Sequence, residues 1–400
     1  MGYKTTLGDV SLDGGHYGIA APAVDFKPGL PAYLRITDIS DDGTLNPSDR
    51  KSVDDSSAGN YLLHEGDIVF ARTGNSTGRN YYYDPRDGEY AYAGFLIKFS
   101  LDPRKINPRY MKYYAQSKQY WDWVSSFNTG STRGNINAKT YASMPIDLPS
   151  RQIQDAIVAI CDAIDDKIRI NRQLNDYLEQ LCQSLFNRFD NDENNPFVKV
   201  SDIADVNPRR TLKKGEEALC IEMADLSTTG AFPTDWRTKA YNGGVKFVNG
   251  DTILARITPC LENGKAGYIN FLEQDEVAFG STEYIVLTSK GELPSEFFYF
   301  LARNEDFISY ATAHMNGSSG RQRVSGSDVG NYEVRMPSEK QISEFRKIAG
   351  NAIRVISASS IESRKLAQLR DALLPKLMSG EIDASKVELT QLTNNHLTDC

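Results

Sequence analysis

Apolar residues recur along this chain with two periods that alternate twice. In residues 1–150, short β-type runs at 33–36, 67–71 and 90–99 are separated by Gly, Asn, Asp and Pro turns, which predicts half-buried strands. A helical pattern follows over 109–127. Its Tyr110, Tyr113, Tyr114, Tyr120, Trp121 and Trp123 carry large apolar area and are expected in the core. From Gln152 the spacing lengthens. Ile153, Ile157, Ile160, Ile164, Lys167, Asn171, Leu174, Leu178, Leu181 and Leu185 fall four and three residues apart in turn. That is a heptad seam, roughly 50 Å long at about 1.5 Å per residue, with two polar positions at its centre. Residues 191–196 (NDENNP) end it.

The plan then starts again. Strand-like runs at 252–255 and 284–287 and a helix at 295–310 lead to a second seam: Ile342, Phe345, Ala349, Ala352, Ile356, Ser359, Ser363, Leu366, Arg370, Leu373 and Leu377. Its middle is again polar and small. Two matched heptad helices carry more than one amphipathic face requires, so they should pair with each other. An antiparallel pairing puts the two globular parts at opposite ends of a rod. Polar centres that meet there fix the register at some cost in stability. The expected class is α+β, with two pseudo-repeated mixed α/β domains separated by two long helices forming an antiparallel coiled coil. The expected boundaries are 1–150, 151–190 for the central helix, 191–338, 339–380 for the second helix, and 381–400 for a tail without pattern from Lys386.

The repetition extends to the letters. GDIVFARTG at 66–74 returns as GDTILARIT at 250–258, 184 residues later. KTTLGDV (4–10) answers KVSDIADV (199–206), and YLRITDIS (33–40) answers CIEMADLS (220–227). A period this long is a duplicated domain and not a solenoid, whose units span about 20 to 50 residues. A duplicated domain suits a target that is read in two places.

Bulk properties narrow the choice. Four hundred residues with 40% hydrophobic content and 21 tyrosines build two or three folded domains. No apolar run approaches the roughly 18 to 20 residues of a membrane span, and the first residues lack the pattern of a secretory signal. Five scattered cysteines form no CxxC pair and fit free thiols in a reducing cytosol; with four distant histidines they offer no metal site. Net charge is −8, but residues 1–150 hold 16 Lys+Arg against 17 Asp+Glu, while residues 191–338 hold 15 against 21. The sum predicts weak non-specific DNA affinity alone and fits a protein that borrows positive surface from a partner. Catalytic signatures are missing. Asn107-Pro108-Arg109-Tyr110 has an arginine where an amino-methyltransferase has a second proline, and no Gly-rich cofactor loop stands upstream. Gly264-Lys265-Ala266 lacks the first glycine and the Ser/Thr of a P-loop. The chain reads as a binding protein with no catalytic residues.

Two loop types carry binding chemistry in both copies. The first holds Arg72, Thr73, Gly74, Asn75, Ser76, Thr77, Arg79 and Asn80, answered by Arg256, Thr258, Asn263 and Lys265. The second holds Gly130, Ser131, Thr132, Arg133 and Asn135, answered by Gly317, Ser318, Ser319, Arg321 and Arg323. Glycines let a backbone approach closely, and hydroxyls and N–H groups meet phosphate oxygens. Arg forks onto guanine O6/N7, and Asn pairs with adenine.

Repeat, spacer helix, repeat and second helix together resemble the specificity (S) subunit of type I DNA restriction–modification systems, over about residues 1–380. The resemblance rests on GDIVFARTG (66–74), TGSTRGNI (129–136), MPIDLPS (144–150) and LRDALLPKLMSGEI (369–382), in that order and spacing. It implies two target recognition domains, each reading half of a bipartite double-stranded DNA site, spaced by the coiled coil. It implies a non-catalytic, cytoplasmic subunit without cofactor. Two modification subunits that methylate adenine at N6 with S-adenosylmethionine, and restriction subunits that translocate and cut, would dock on it. Loops 72–80 and 129–135 would read one half-site, and loops 256–265 and 317–323 the other. Helices 152–187 and 340–378 would carry the modification-subunit contacts. The second copy departs at Ile257 and Pro259, where the first has Thr73 and Asn75. A rod of roughly 50 Å can hold two readers about one DNA turn, ~34 Å, apart. Two other readings share features of the chain. A DNA methyltransferase needs a cofactor motif, and a two-headed protein scaffold predicts no salt-dependent DNA binding.

Overall fold

The computed structural model of the chain describes residues 2–46, 49–127, 134–291, 293–318 and 320–387. It divides into two compact units, unit 1 from residues 1–165 with 368–400 and unit 2 from residues 166–367. Unit 1 carries β1 (Tyr3–Thr6), β2 (His16–Tyr17), β3 (Ala23–Asp25), β4 (Ala32–Leu34), β5 (Lys51–Val53), β6 (Asp67–Ala71), β7 (Asn80–Tyr82), β8 (Tyr90–Tyr92), β9 (Leu96–Ser100), α1 (Pro108–Tyr114), α2 (Lys118–Ser125), α3 (Ala138–Ala142) and β10 (Pro145–Leu148). Helix α4 (Arg151–Asp190) leads out of it. Unit 2 carries β11 (Phe197–Lys199), α5 (Val200–Ile203), β12 (Ala204–Val206), β13 (Glu217–Ile221), β14 (Arg237–Ala240), β15 (Val245–Phe247), β16 (Thr252–Ala255), β17 (Ala266–Tyr268), β18 (Ala278–Gly280), β19 (Tyr284–Ser289), α6 (Glu296–Ala302), α7 (Glu305–Ala313), α8 (Gly326–Asn331) and β20 (Glu333–Arg335). Helix α9 (Glu339–Ser379) follows.

The duplication is complete in one sheet. Order β2-β9-β6-β7 in unit 1 returns as β12-β19-β16-β17 in unit 2, and the ribbon β1-β10 returns as β11-β20. The other sheet differs at its edge. Both units pair two strands in parallel, β4 with β8 and β13 with β18. The fourth strand lies outside β5 in unit 1 and outside β18 in unit 2.

The run at 90–99 is two strands, because β8 and β9 are separated by residues 93–95. The helices expected at 109–127 and 295–310 are each two. Ser117 accepts a hydrogen bond from Tyr120 N and Asn304 from Phe307 N, and each such cap starts a new helix. The Asn107-Pro108-Arg109-Tyr110 segment opens α1: Asn107 caps it, Pro108 fills its first turn, and Tyr110 is buried.

The recurring Gly-Asp has a structural cause. Gly66 and Gly250 sit at φ of 90° and 89°, where a side chain would be strained. Asp67 and Asp251 follow, 2% and 0% exposed. Each carboxylate turns back on its own loop, accepting from His64 N at 2.9 Å and from Val248 N at 2.8 Å. Each also accepts a hydroxyl from the neighbouring strand, Ser100 in one unit and Thr288 in the other. The balancing cation differs, Lys98 at 3.2 Å in unit 1 and Arg210 at 3.2 Å in unit 2. The carboxylate thus fixes where the fully buried strands β6 and β16 begin.

Within unit 2, α4 and α9 pack antiparallel. Phe189 meets Phe345 at 5.8 Å, Asn175 donates to Ser360 Oγ at 3.2 Å, and Asn171 donates to Glu362 at 2.8 Å and to Ser363 Oγ at 3.1 Å. Lys167 lies 3.2 Å from Glu362, so the polar middles do meet. The α4 seam is rotated from the expected one. Cys161, Ile168 and Cys182 are buried and Asn175 is bonded to α9, whereas Leu174 and Leu181 are exposed. A period of 3.6 residues puts both sets on adjoining stripes, and satisfied polar contacts select the less apolar stripe. Leu174 and Leu181 therefore join Ile170 and Tyr177 in an exposed apolar row.

Within unit 1, α1 is bolted to α4 and α9 by charge. Arg109 forks onto Asp162 at 2.6 and 2.9 Å. Lys112, Tyr113 and Arg370 all converge on Asp165, the last at 3.0 Å. Burial raises the Asp165 carboxyl, but Lys112 and Arg370 outweigh it and hold the group below the usual carboxylate range. Asp165→Asn leaves Lys112 without its counter-ion and Arg370 with Asp371 alone, and should cost roughly 3 kcal/mol at neutral pH. Because the folded value is the lower one, that contribution is full above the ordinary pKa of about 3.9 and fades as pH falls through the folded value. Denaturant titrations of both proteins should show the gap narrowing below about pH 4; a gap that stays constant on acidification would refute the assignment.

Candidate nucleic-acid interface

In each unit the strand that begins with the buried aspartate ends in an arginine. Arg72 follows β6 and Arg256 follows β16. Arg72 N donates to Phe95 O at 3.1 Å and its carbonyl accepts from Ile136 N at 2.9 Å. Arg256 N donates to Glu283 O at 2.9 Å and its carbonyl accepts from Val324 N at 3.0 Å. Bridges Thr73↔Asn135 and Ile257↔Arg323 clasp the second loop onto the first. The two loop types that sequence paired by position thus touch in both units. Arg72 Nε and Arg256 Nε are both buried without a hydrogen-bond partner among the described residues. An unmet buried donor costs about 1–3 kcal/mol. Arg169 Nε and Arg210 Nε are buried and unmet in the same way, so what sets Arg72 and Arg256 apart is that they stand at equivalent strand ends in the two units.

The surroundings of the two arginines differ. The Arg72 guanidinium lies 5.0 Å over the ring of Tyr17, whose hydroxyl accepts from Ala138 N at 3.2 Å. Beside it Phe95 is 55% exposed. In unit 2, Glu283 takes the place of Phe95, and Arg323 forks onto it at 2.7 and 2.8 Å. The Arg323 guanidinium holds the Glu283 carboxyl below its usual range.

The remaining loop residues divide by environment. Gly74–Ser76 is a single 3-10 turn with Asn75 exposed at its tip. Thr73 and Gly74 are half-buried, and Thr77 Oγ1 donates to Gly74 O at 2.8 Å and Gly134 O at 2.9 Å, tying the loops together. Asn135 is exposed. In unit 2, Thr258 N donates to Gln322 O at 3.1 Å and Asn263 is exposed. Asn316 and Arg323 close a hairpin on which Gly317, Ser318 and Arg321 are exposed. Gly130, Ser131, Thr132, Arg133 and Ser319 lie outside the described residues.

Two expected contacts belong to the framework instead. Asn80 is 2% exposed; its amide donates to Gly78 O and Ala115 O and accepts from Gln116, which leaves no edge for a base. Ser76 is buried under the turn. Three further cations hold internal partners: Arg79 with Asp41 at 2.7 Å, Lys265 with Met223 O at 3.0 Å, and Arg323 with Glu283. Sequence reasoning missed Tyr17, Phe95 and Glu283. Setting AGFLIKFS (93–100) on STEYIVLT (281–288), 188 residues apart, would have aligned Phe95 with Glu283. Among the described residues no cluster of His, Cys, Asp or Glu could hold a metal ion, and no helix is long and apolar enough to cross a membrane.

Residues 43–180 match the family model described as type I restriction modification DNA specificity domain. The chain is similar to the type I restriction enzyme HindI specificity subunit of Haemophilus influenzae, 20% identical over 80% of this chain and 87% of that protein. It is also similar to the EcoEI specificity subunit of Escherichia coli, 26% identical over 48% of this chain and 33% of that protein. Among solved structures, a type I restriction-modification system S subunit from M. genitalium shares the fold, with a TM-score of 0.57, 16% identity, and coverage of 94% of this chain and 96% of that one.

The framework and the arginine should separate in stability measurements. Asn80→Ala strands buried partners and should cost about 1–3 kcal/mol. Arg72→Met gives up the guanidinium contact with Tyr17, worth about 0.5–1 kcal/mol, and removes the unmet N–H, so it should lower the denaturation midpoint less than Asn80→Ala does. Equal losses in the two variants would contradict the division.

Proposed function

We propose that this chain, a member of the type I restriction–modification specificity-subunit family, is the DNA-reading and non-catalytic subunit of its complex. The loops around Arg72 in unit 1 would read one half of a bipartite site, and those around Arg256 in unit 2 the other. The observation that carries this reading is the repeated one. In both units a strand fixed by a buried aspartate ends in an arginine, and the residue after that arginine is bridged to a second loop. Rigid strands hold such a group more precisely than mobile loops would. Arginine is the side chain best matched to a guanine edge or a phosphate.

The partners would be two modification subunits and the restriction subunits, working in the cytoplasm. Ile170, Leu174, Tyr177 and Leu181 support docking on α4, since they expose an apolar row on a helix whose other face is already covered. The net charge of −8 agrees with a reader that depends on partners for much of its phosphate attraction.

Modified-base sequencing tests the reading. Genomic DNA from cells expressing this chain with its modification subunits would be compared with DNA from cells lacking only this chain. The expected result is a new split motif, two short defined halves around an undefined gap, with N6-methyladenine in each half. An assembled complex that adds no methylation would sink the reading and favour the protein-scaffold alternative.

A further inference from the structure

The residue just before β9 and β19 faces the loop arginine across the sheet. In the antiparallel pair β6–β9, Ala71 stands opposite Leu96, so the next pair outward is Arg72 with Phe95. In β16–β19, Ala255 stands opposite Tyr284, so the next pair is Arg256 with Glu283. Directly opposed residues put their side chains on the same face, about 5 Å apart at Cβ. The repeat therefore builds one position twice and fills it with opposite chemistries.

From this we infer that position 95 in unit 1 and position 283 in unit 2 determine the base read beside the arginine, a thymine methyl at Phe95 and a cytosine amine at Glu283. The inference rests on the proposed reading of a bipartite DNA site. Phe95 offers an exposed apolar ring and no hydrogen-bonding group, next to Arg72 lying on Tyr17. The one apolar feature of a base edge in the major groove is the thymine methyl. Tyr17 shares the face: it pairs with Ile97, two residues along β9 from Phe95. Unit 1 thus sets two aromatic residues on the sheet face that carries the arginine.

Glu283 offers only acceptors. Its fork with Arg323 engages both carboxylate oxygens, leaves each one further lone pair, and fixes the group's direction, because Arg323 is itself held in the bridge to Ile257. A carboxylate accepts from the cytosine exocyclic amine and repels the O6/N7 edge of guanine. Arg256 alongside supplies the donor for that guanine or for a neighbouring one. A carboxylate at a DNA-facing position also weakens phosphate binding, so its presence in a chain already at −8 is an expense that sequence discrimination explains.

The test is modified-base sequencing of the assembled complex carrying Glu283→Gln, Phe95→Leu or Phe95→Glu. Glu283→Gln should relax one letter of one half-site, with discrimination there falling roughly tenfold or more, and leave the other half unchanged. Phe95→Glu should change one letter of the opposite half, and Phe95→Leu should keep it. The unaltered half in each variant reports that the chain is folded and the complex active. A motif kept letter for letter in Glu283→Gln and Phe95→Glu would overturn the inference while leaving the specificity reading intact. Blurring of both halves by a single variant would overturn it as well. Absence of any motif from the unaltered complex would overturn the specificity reading and this inference with it.

Discussion

A carboxylate buried at the head of a strand organises each half of this molecule. Asp67 and Asp251 sit almost without solvent at the start of β6 and β16. An unpaired charge there would be untenable. Each is satisfied by a loop N–H, a hydroxyl on the adjacent strand, and a cation. Those bonds allow one starting point for the strand and one register against its neighbour. Five residues later the chain must leave the sheet, and the residue that leaves is the arginine. The position of that arginine is thus set from the far end of its strand, by an interaction that faces no ligand.

This arrangement explains why the two copies keep some letters and lose others. The glycine, the aspartate and the hydroxyl partner form a closed set, and each needs the others. The balancing cation is free to come from Lys98 or from Arg210, because charge matters there more than origin. Beyond the strand end the aspartate's bonds no longer constrain the choice, and Phe95 and Glu283 diverge, Glu283 being held instead by Arg323. The helices follow the same rule. Polar contacts between Asn171, Asn175 and the serines of α9 fix the pairing, and apolar residues fill in around them.

Much of this was legible in the residues. The duplication, the long helices and the paired loops follow from periodicity and repeated letters. The segments that misled are those where a local signal was weaker than a tertiary one. Leu174 and Leu181 fit a heptad better than Asn175 and Cys182, yet hydrogen bonds from Ser359 and to Ser360 turn the helix the other way. Asn80 carries an amide suited to adenine, and only its burial against Ala115 and Gln116 shows that the amide is spent. Ser117 and Asn304 split helices that apolar spacing ran together. Phe95 and Glu283 escaped notice because the repeat slips by four residues between the arginine and the next strand.

On the proposed docking, the exposed row Ile170, Leu174, Tyr177 and Leu181 would tie the protein's stability to its company. Each of these side chains keeps apolar area in water, at about 25 cal/mol per Å². A partner that covers them binds the folded helix and not the unfolded chain. By mass action, its free concentration then enters the folding equilibrium as a term of its own. The midpoint of unfolding would then become a property of the mixture, rising with the amount of partner present. A cell that makes this chain in excess would hold two populations of one sequence, with the same fold and different lifetimes.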